Sequence, residues 1–282
     1  MVSKFEMGLV WVIVAALSNV ATIFAAEPQQ SVDNERREML IQIDQLSRAI
    51  DSLTLPKPYL GEALRSRGVL FSDLDANDQA LRDFNAALDL DPQDAEAYNS
   101  RGVVYHKLKQ YELARADFDQ SISLAPDRAY PYYSRGHLSY YQGRFAEARE
   151  DLESGVSLAA PEDEPYGMLW LFATLMKEGE EGASTLRDYL KRQEGFAWPM
   201  PLVKLFAGDM SPENALIAAS APDAQKDREQ KCEAYFYLGL WHQFRDERQL
   251  AREAFQKAVD SKIIKFIEYQ FGLVELQRLA GQ

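Results

Sequence analysis

The chain has 282 residues, of which 46% are hydrophobic and 27% charged, and it carries a net charge of −13 at neutral pH. An acidic field of that size repels phosphate backbones and anionic lipid faces, which excludes non-specific nucleic-acid binding and favours basic partners. The single cysteine, Cys232, leaves no intrachain disulfide, so stability has to come from apolar packing.

Residues 1–26 stand apart. Met7 to Ala26 is apolar except for Gly8, Ser18, Asn19 and Thr22, Lys4 precedes it, and the small pair Ala25-Ala26 is followed by Glu27-Pro28-Gln29-Gln30. This pattern reads as an export signal cut after Ala25 or Ala26, with an uncleaved anchor as the alternative, because about 20 apolar residues suffice to span a bilayer. Either way the expected location is periplasmic. No cysteine stands near the segment, so there is no lipobox for acylation, and membrane contact requires an uncleaved anchor.

Residues 27–58 form an N-terminal helix and linker in this reading. The helix is expected over Asp33 to Leu53, with Leu40, Ile43, Leu46 and Ile50 as a narrow apolar stripe and Thr54 to Pro58 ending it. A stripe outside the repeat register either caps the first repeat or pairs with a second copy of the chain as a homodimer.

Residues 61–162 carry three copies of one pattern. Gly68, Gly102 and Gly136 are spaced 34 apart. Four residues before each stand Leu64, Tyr98 and Tyr132, and twelve after each stand Ala80, Ala114 and Ala148. Phe84, Phe118 and Leu152 follow, then Ala87, Ser121 and Gly155, and Pro92, Pro126 and Pro161 close the copies. A 34-residue period of large, small, aromatic, small and proline is the tetratricopeptide (TPR) pattern, so the expected fold class is all-α, a right-handed TPR solenoid of helix pairs with extra N- and C-terminal helices.

Residues 163–231 lose the motif and keep the helical period, which predicts degenerate helix pairs. Ser211-Pro212 reads as an N-cap with proline at the first helical position, and Ala221 to Glu229 as a polar loop. Residues 232–282 hold a fourth copy, with Tyr235, Gly239, Ala251, Phe255 and Ala258 at the same offsets, and a final helix from Phe266 to Leu279 expected to cap the open end.

Arg67, Arg101 and Arg135 recur with the period, as do Asp83, Asp117 and Asp151; in the fourth copy both positions change together, to Leu238 and Ala254. The matched loss predicts an ion pair inside each of the first three repeats. The first helix of each pair lines the inner wall of such a solenoid. Its inward offsets give Asn99, Val103 and His106 in the second repeat and Tyr130, Tyr133, His137, Tyr140 and Tyr141 in the third. Tyrosine offers apolar area with a hydrogen-bonding tip, so these eight residues are the candidate partner-binding groove; the alternative is that some of the rings pack against the following helix pair. His106, His137 and His242 have no metal-ligand spacing. No catalytic or phosphate-binding motif occurs, and the expectation is no enzyme, no catalytic residues, no metal and no cofactor.

Arg67 to Phe71, Arg135-Gly136-His137 with Tyr140-Tyr141, Leu169-Trp170-Leu171, Phe236 to Gly239 and Phe266 to Tyr269 with Leu273 resemble NlpI-like periplasmic TPR proteins over about residues 36–279. The resemblance implies a homodimeric adaptor that brings peptidoglycan hydrolases to a tail-specific protease and so regulates cell-wall turnover. The lipid-bearing cysteine of that family is missing here. A structural subunit of an envelope assembly or secretion complex is the alternative.

Overall fold

The computed structural model describes residues 34–52, 54–179, 182–193 and 197–281. The segment read as an export signal, residues 1–26, lies outside the described residues. The chain divides into two compact units, Met1–Asp44 and Gln45–Gln282. Every regular element among the described residues is helical.

Helix α1 covers residues 34–51. Three antiparallel pairs follow: α2 (Lys57–Asp73) with α3 (Asn77–Leu90), α4 (Ala95–Lys107) with α5 (Tyr111–Leu124), and α6 (Ala129–Tyr141) with α7 (Phe145–Leu158). Then come α8 (Glu164–Glu178), α9 (Gly182–Leu190), α10 (Met200–Ala207) and α11 (Pro212–Ala218), a fourth pair α12 (Ala224–Phe244) and α13 (Arg248–Asp260), and α14 (Ile267–Ala280). Pro58 sits in the first turn of α2, where its missing N–H costs nothing, so the proline pair starts this helix as well as ending the linker.

The period has a steric cause. A Cβ placed on Gly102 would lie 2.6 Å from the ring of Phe118, so the glycine lets the aromatic of the second helix reach the backbone of the first. Gly239 and Phe255 repeat the arrangement in the fourth pair. Seven residues after the glycine, each pair turns through a left-handed residue: Asp75, Lys109, Gly143 and Asp246, with φ of 59°, 59°, 75° and 59°.

The recurring arginines and aspartates meet in two-pronged pairs. Arg101 Nε and Nη2 each donate to Asp117 at 2.8 Å, and Arg67–Asp83 and Arg135–Asp151 do the same. The third nitrogen reaches back to the preceding helix, at Ser47, Asn85 and Asp119. Each guanidinium therefore joins three helices. In the fourth pair Leu238 and Ala254 instead pack with Leu205 and Ala215, because α10 and α11 cover that surface and leave no water for a charge.

Asp223 caps α12, its carboxylate accepting from Lys226 N at 2.8 Å. The stretch from Ala221 to Glu229, expected as a loop, is thus mostly helix; its polar residues lie on the exposed first turns of α12. Ser211 caps α11 as expected. Helix α8 is buried on all sides, with Met168 to Ala173 in the core.

Helix α14 also reaches beyond the end of the last pair. It packs on α12 and α13 and carries Phe271 against the inner wall of the repeats, with ring centroids 5.8 Å from His106, 5.7 Å from His137, 4.2 Å from Tyr141 and 5.3 Å from Trp170. Arg278 fixes it there, donating to Tyr141 O at 2.8 Å and lying 4.9 Å from the centre of that ring.

Candidate functional site

Asn99, Val103 and His106 stand at i, i+4 and i+7 on α4, which puts them on one face. That face opens on a groove of about 220 Å³ bounded by Val69 of α2, Phe271 of α14 and the three α4 residues. Asn99 Oδ1 is buried there without a hydrogen-bond partner among the described residues, an acceptor that a peptide N–H would satisfy. At the rim Lys107 Nζ donates to Ser72 O at 3.1 Å and Ser72 Oγ at 3.0 Å. Burial lowers the pKa of this ammonium and raises that of Asp73 beside it. Burial also pushes His106 down to about 4, so its ring is neutral and acts as an apolar wall with a polar edge.

The third-repeat residues divide differently from the sequence reading. Tyr140 is 1% exposed, inside the main core, and Tyr141 is covered by Phe271 and Arg278. His137 is 8% exposed, its ring 4.4 Å from Trp170, and burial, with a smaller repulsion from His106 once that ring is protonated, drives its pKa to about 3. These three do not form an open aromatic wall, because the chain's own last helix already occupies that part of the inner surface. Tyr133 rests on Gly155 and Gly167, whose missing Cβ atoms leave room for its ring. It faces a second cavity. Tyr130 lines a separate polar cleft with Arg65 and Glu96.

The second cavity, about 290 Å³, was not foreseen as a unit. It gathers Tyr133, Tyr166, Trp170, Glu233 and Glu268. Glu233 stands six residues before Gly239, the offset that Tyr130 holds before Gly136, whereas nothing in the sequence places Glu268 beside it. Among the described residues no group of histidine, cysteine and carboxylate side chains is arranged to hold a metal ion, and no helix is long and apolar enough to cross a membrane. Cys232 is buried and its thiol is pushed up to about 12 by desolvation, which makes it unreactive.

Two tetratricopeptide-repeat family models match the chain, at residues 68–109 and 95–128. It is 29% identical over 121 residues to the lipoprotein NlpI homolog of Haemophilus influenzae, a match covering 41% of this chain and 38% of that protein. Among solved structures it is similar to the APC/C hetero-tetramer Cut9–Hcn1, with a TM-score of 0.50 and 14% identity over 84% of this chain and 46% of that one. It is also similar to Pseudomonas aeruginosa pilF, with a TM-score of 0.48 and 16% identity over 78% and 99%. The chain is thus an all-α TPR solenoid that is NlpI-like over part of its length, and TPR proteins of this kind bind other proteins.

Proposed function

We propose that this chain is a periplasmic, homodimeric adaptor that holds an extended segment of a client in the groove between α2, α4 and α14. It presents peptidoglycan hydrolases to a tail-specific protease, working by effective concentration and making or breaking no bond itself. The observation that carries this reading is the groove itself: apolar walls at Val69, Val103 and Phe271 around the unpartnered acceptor of Asn99. That is the combination an extended peptide needs, buried area for side chains and a polar group for its backbone. The net charge of −13 speeds the approach of basic segments.

The test is reconstitution. A tail-specific protease and a peptidoglycan hydrolase are incubated with the wild-type chain, with Asn99→Ala and with Val103→Arg. Wild type should accelerate hydrolase loss, and both groove variants should lower that acceleration several-fold while melting normally. Equal acceleration by all three would place client binding elsewhere.

The dimer reading rests on α1, where Leu40 is 50% exposed in the stripe shared with Ile43, Leu46 and Ile50. Leu40→Glu should halve the mass seen by light scattering, and an unchanged mass would reject this helix as the interface.

A further inference from the structure

The cavity between α6, α8, α12 and the start of α14 holds two carboxylates that no cation among the described residues neutralises. Glu233 is 8% exposed and Glu268 5% exposed, and both line the cavity. Glu233 Oε2 accepts from Tyr166 Oη at 3.0 Å and from Trp198 Nε1. Neither carboxylate has an ion-pair partner among the described residues. Lys265, the lysine on the cavity wall, is committed to Glu229 with Nζ 3.1 Å from Oε1. Burying unpaired carboxylates is expensive unless a proton or a cation compensates.

Three further polar atoms in the wall, Tyr133 Oη, His137 Nε2 and Tyr237 Oη, are buried without a hydrogen-bond partner among the described residues, and His137 is nine-tenths buried. Tyr133 can stand there because positions 155 and 167 are both glycine; a Cβ at 167 would collide with its hydroxyl and one at 155 with its ring. The remaining walls are aromatic, from Trp170, Tyr237 and Phe266. Carboxylates recessed among aromatic rings, with spare hydrogen-bonding groups beside them, match the needs of a guanidinium or an alkyl ammonium: charge-assisted hydrogen bonds at the tip and π faces along the stem.

We infer that this cavity receives a basic side chain, arginine or lysine, from a bound polypeptide, with Glu268 and Glu233 as its counter-ions. His137, Lys265 and Ile267 line both this cavity and the groove, so a side chain projecting from a segment in the groove has the second cavity as its neighbour. The inference rests on the protein-binding reading and adds the chemistry of one recognised residue. In the unbound chain burial holds both carboxyls above the ordinary carboxylate range, so protons do the compensating until a cation replaces them. The groups facing the pair are Tyr133 and His137 from α6, Tyr166 from α8, Trp198, Tyr237 and Glu229, and Lys265.

The probe is a capped pentapeptide with a central arginine, compared by calorimetry with the same peptide carrying citrulline, a neutral isostere. Wild type should bind the arginine peptide at least tenfold more tightly. At pH 7, in two buffers of different ionisation heat, it should release protons with arginine and none with citrulline. Glu268→Gln, and the double variant with Glu233→Gln, should lose the preference. Equal binding of the two peptides to wild type, no binding of either, or a preference that survives in the folded double variant would overturn the inference. The hydrolase reconstitution reads the protein-binding role separately, and the wild-type comparison decides even if a variant fails to fold.

Discussion

The ring of Phe271, in the last helix, stands 4.2 Å from the ring of Tyr141, at the end of the third repeat's first helix. This contact decides which part of the inner wall stays open. On its α6 side the wall is closed by α14; on its α4 side the groove of Asn99, Val103 and His106 remains.

Phe271→Ala should therefore do two things. Removing a ring that is almost fully buried costs about 3 kcal/mol through lost transfer energy and the cavity left behind. It also uncovers Trp170, whose ring lies 5.3 Å away. Chemical denaturation should show the loss of stability, and the folded variant should show a red-shifted tryptophan emission. Unchanged emission with full stability would mean that α14 is not seated on the wall.

The Arg101–Asp117 pair makes a second expectation. Its two ends have side-chain exposures of 19% and 8%, so truncating one strands the other where water reaches it poorly. Arg101→Leu alone should cost about 2–3 kcal/mol, less than a fully buried pair would. Arg101→Leu with Asp117→Ala, the combination found in the fourth repeat, should cost less than the single change. A double-mutant cycle in urea measures this, and simple additivity would remove the pair as a structural tie.

Much of this architecture could be read from the residues. The glycine period, the aromatic that fills it and the paired loss of arginine and aspartate all follow from local spacing, which the chain repeats three times. What could not be read is how distant segments meet. His106 and Tyr140 stand four residues after the glycine of neighbouring repeats, yet Tyr140 is core and His106 lines a groove, because later segments such as that of Trp170 pack around the first. Glu233 and Glu268 share a cavity for the same reason. Repeat spacing fixes neighbours within and between adjacent pairs, and carries no information on where a chain end folds back.

Lys109 gives a prediction of opposite sign. It holds φ at 59°, the left-handed conformation that its counterpart Gly143 adopts without strain. A Cβ in this region costs about 1 kcal/mol or more, partly offset by glycine's larger loss of freedom on folding. Lys109→Gly should raise stability by roughly 0.5 kcal/mol, visible as a small upward shift in Tm. A lower Tm would show that the lysine side chain contributes more than its backbone strain removes.

The last prediction concerns pH. Burial raises Glu233 to about 7 and Glu268 to about 8, each helped by the negative charge of a neighbouring glutamate. Their folded-state pKa values lie above the unfolded ones, so the folded chain holds protons that the unfolded chain gives up. Their contribution is full at low pH and is lost as pH rises from about 4.5 through about 8. His106 and His137 act in the other direction. They are lowered to about 4 and about 3 by burial, and unfolding lets them take up protons below about 6.5, so stability is lost as pH falls through that range. The two effects oppose each other between 4.5 and 6.5 and leave a plateau there, with stability declining on either side. The net charge of −13 also weakens the fold at high pH, so the pair has to be isolated by substitution. Urea melts at pH 6 and pH 8 should show a marked loss for wild type and a smaller one for Glu268→Gln. An equal loss in both would mean that the carboxylate pair does not carry the high-pH limb.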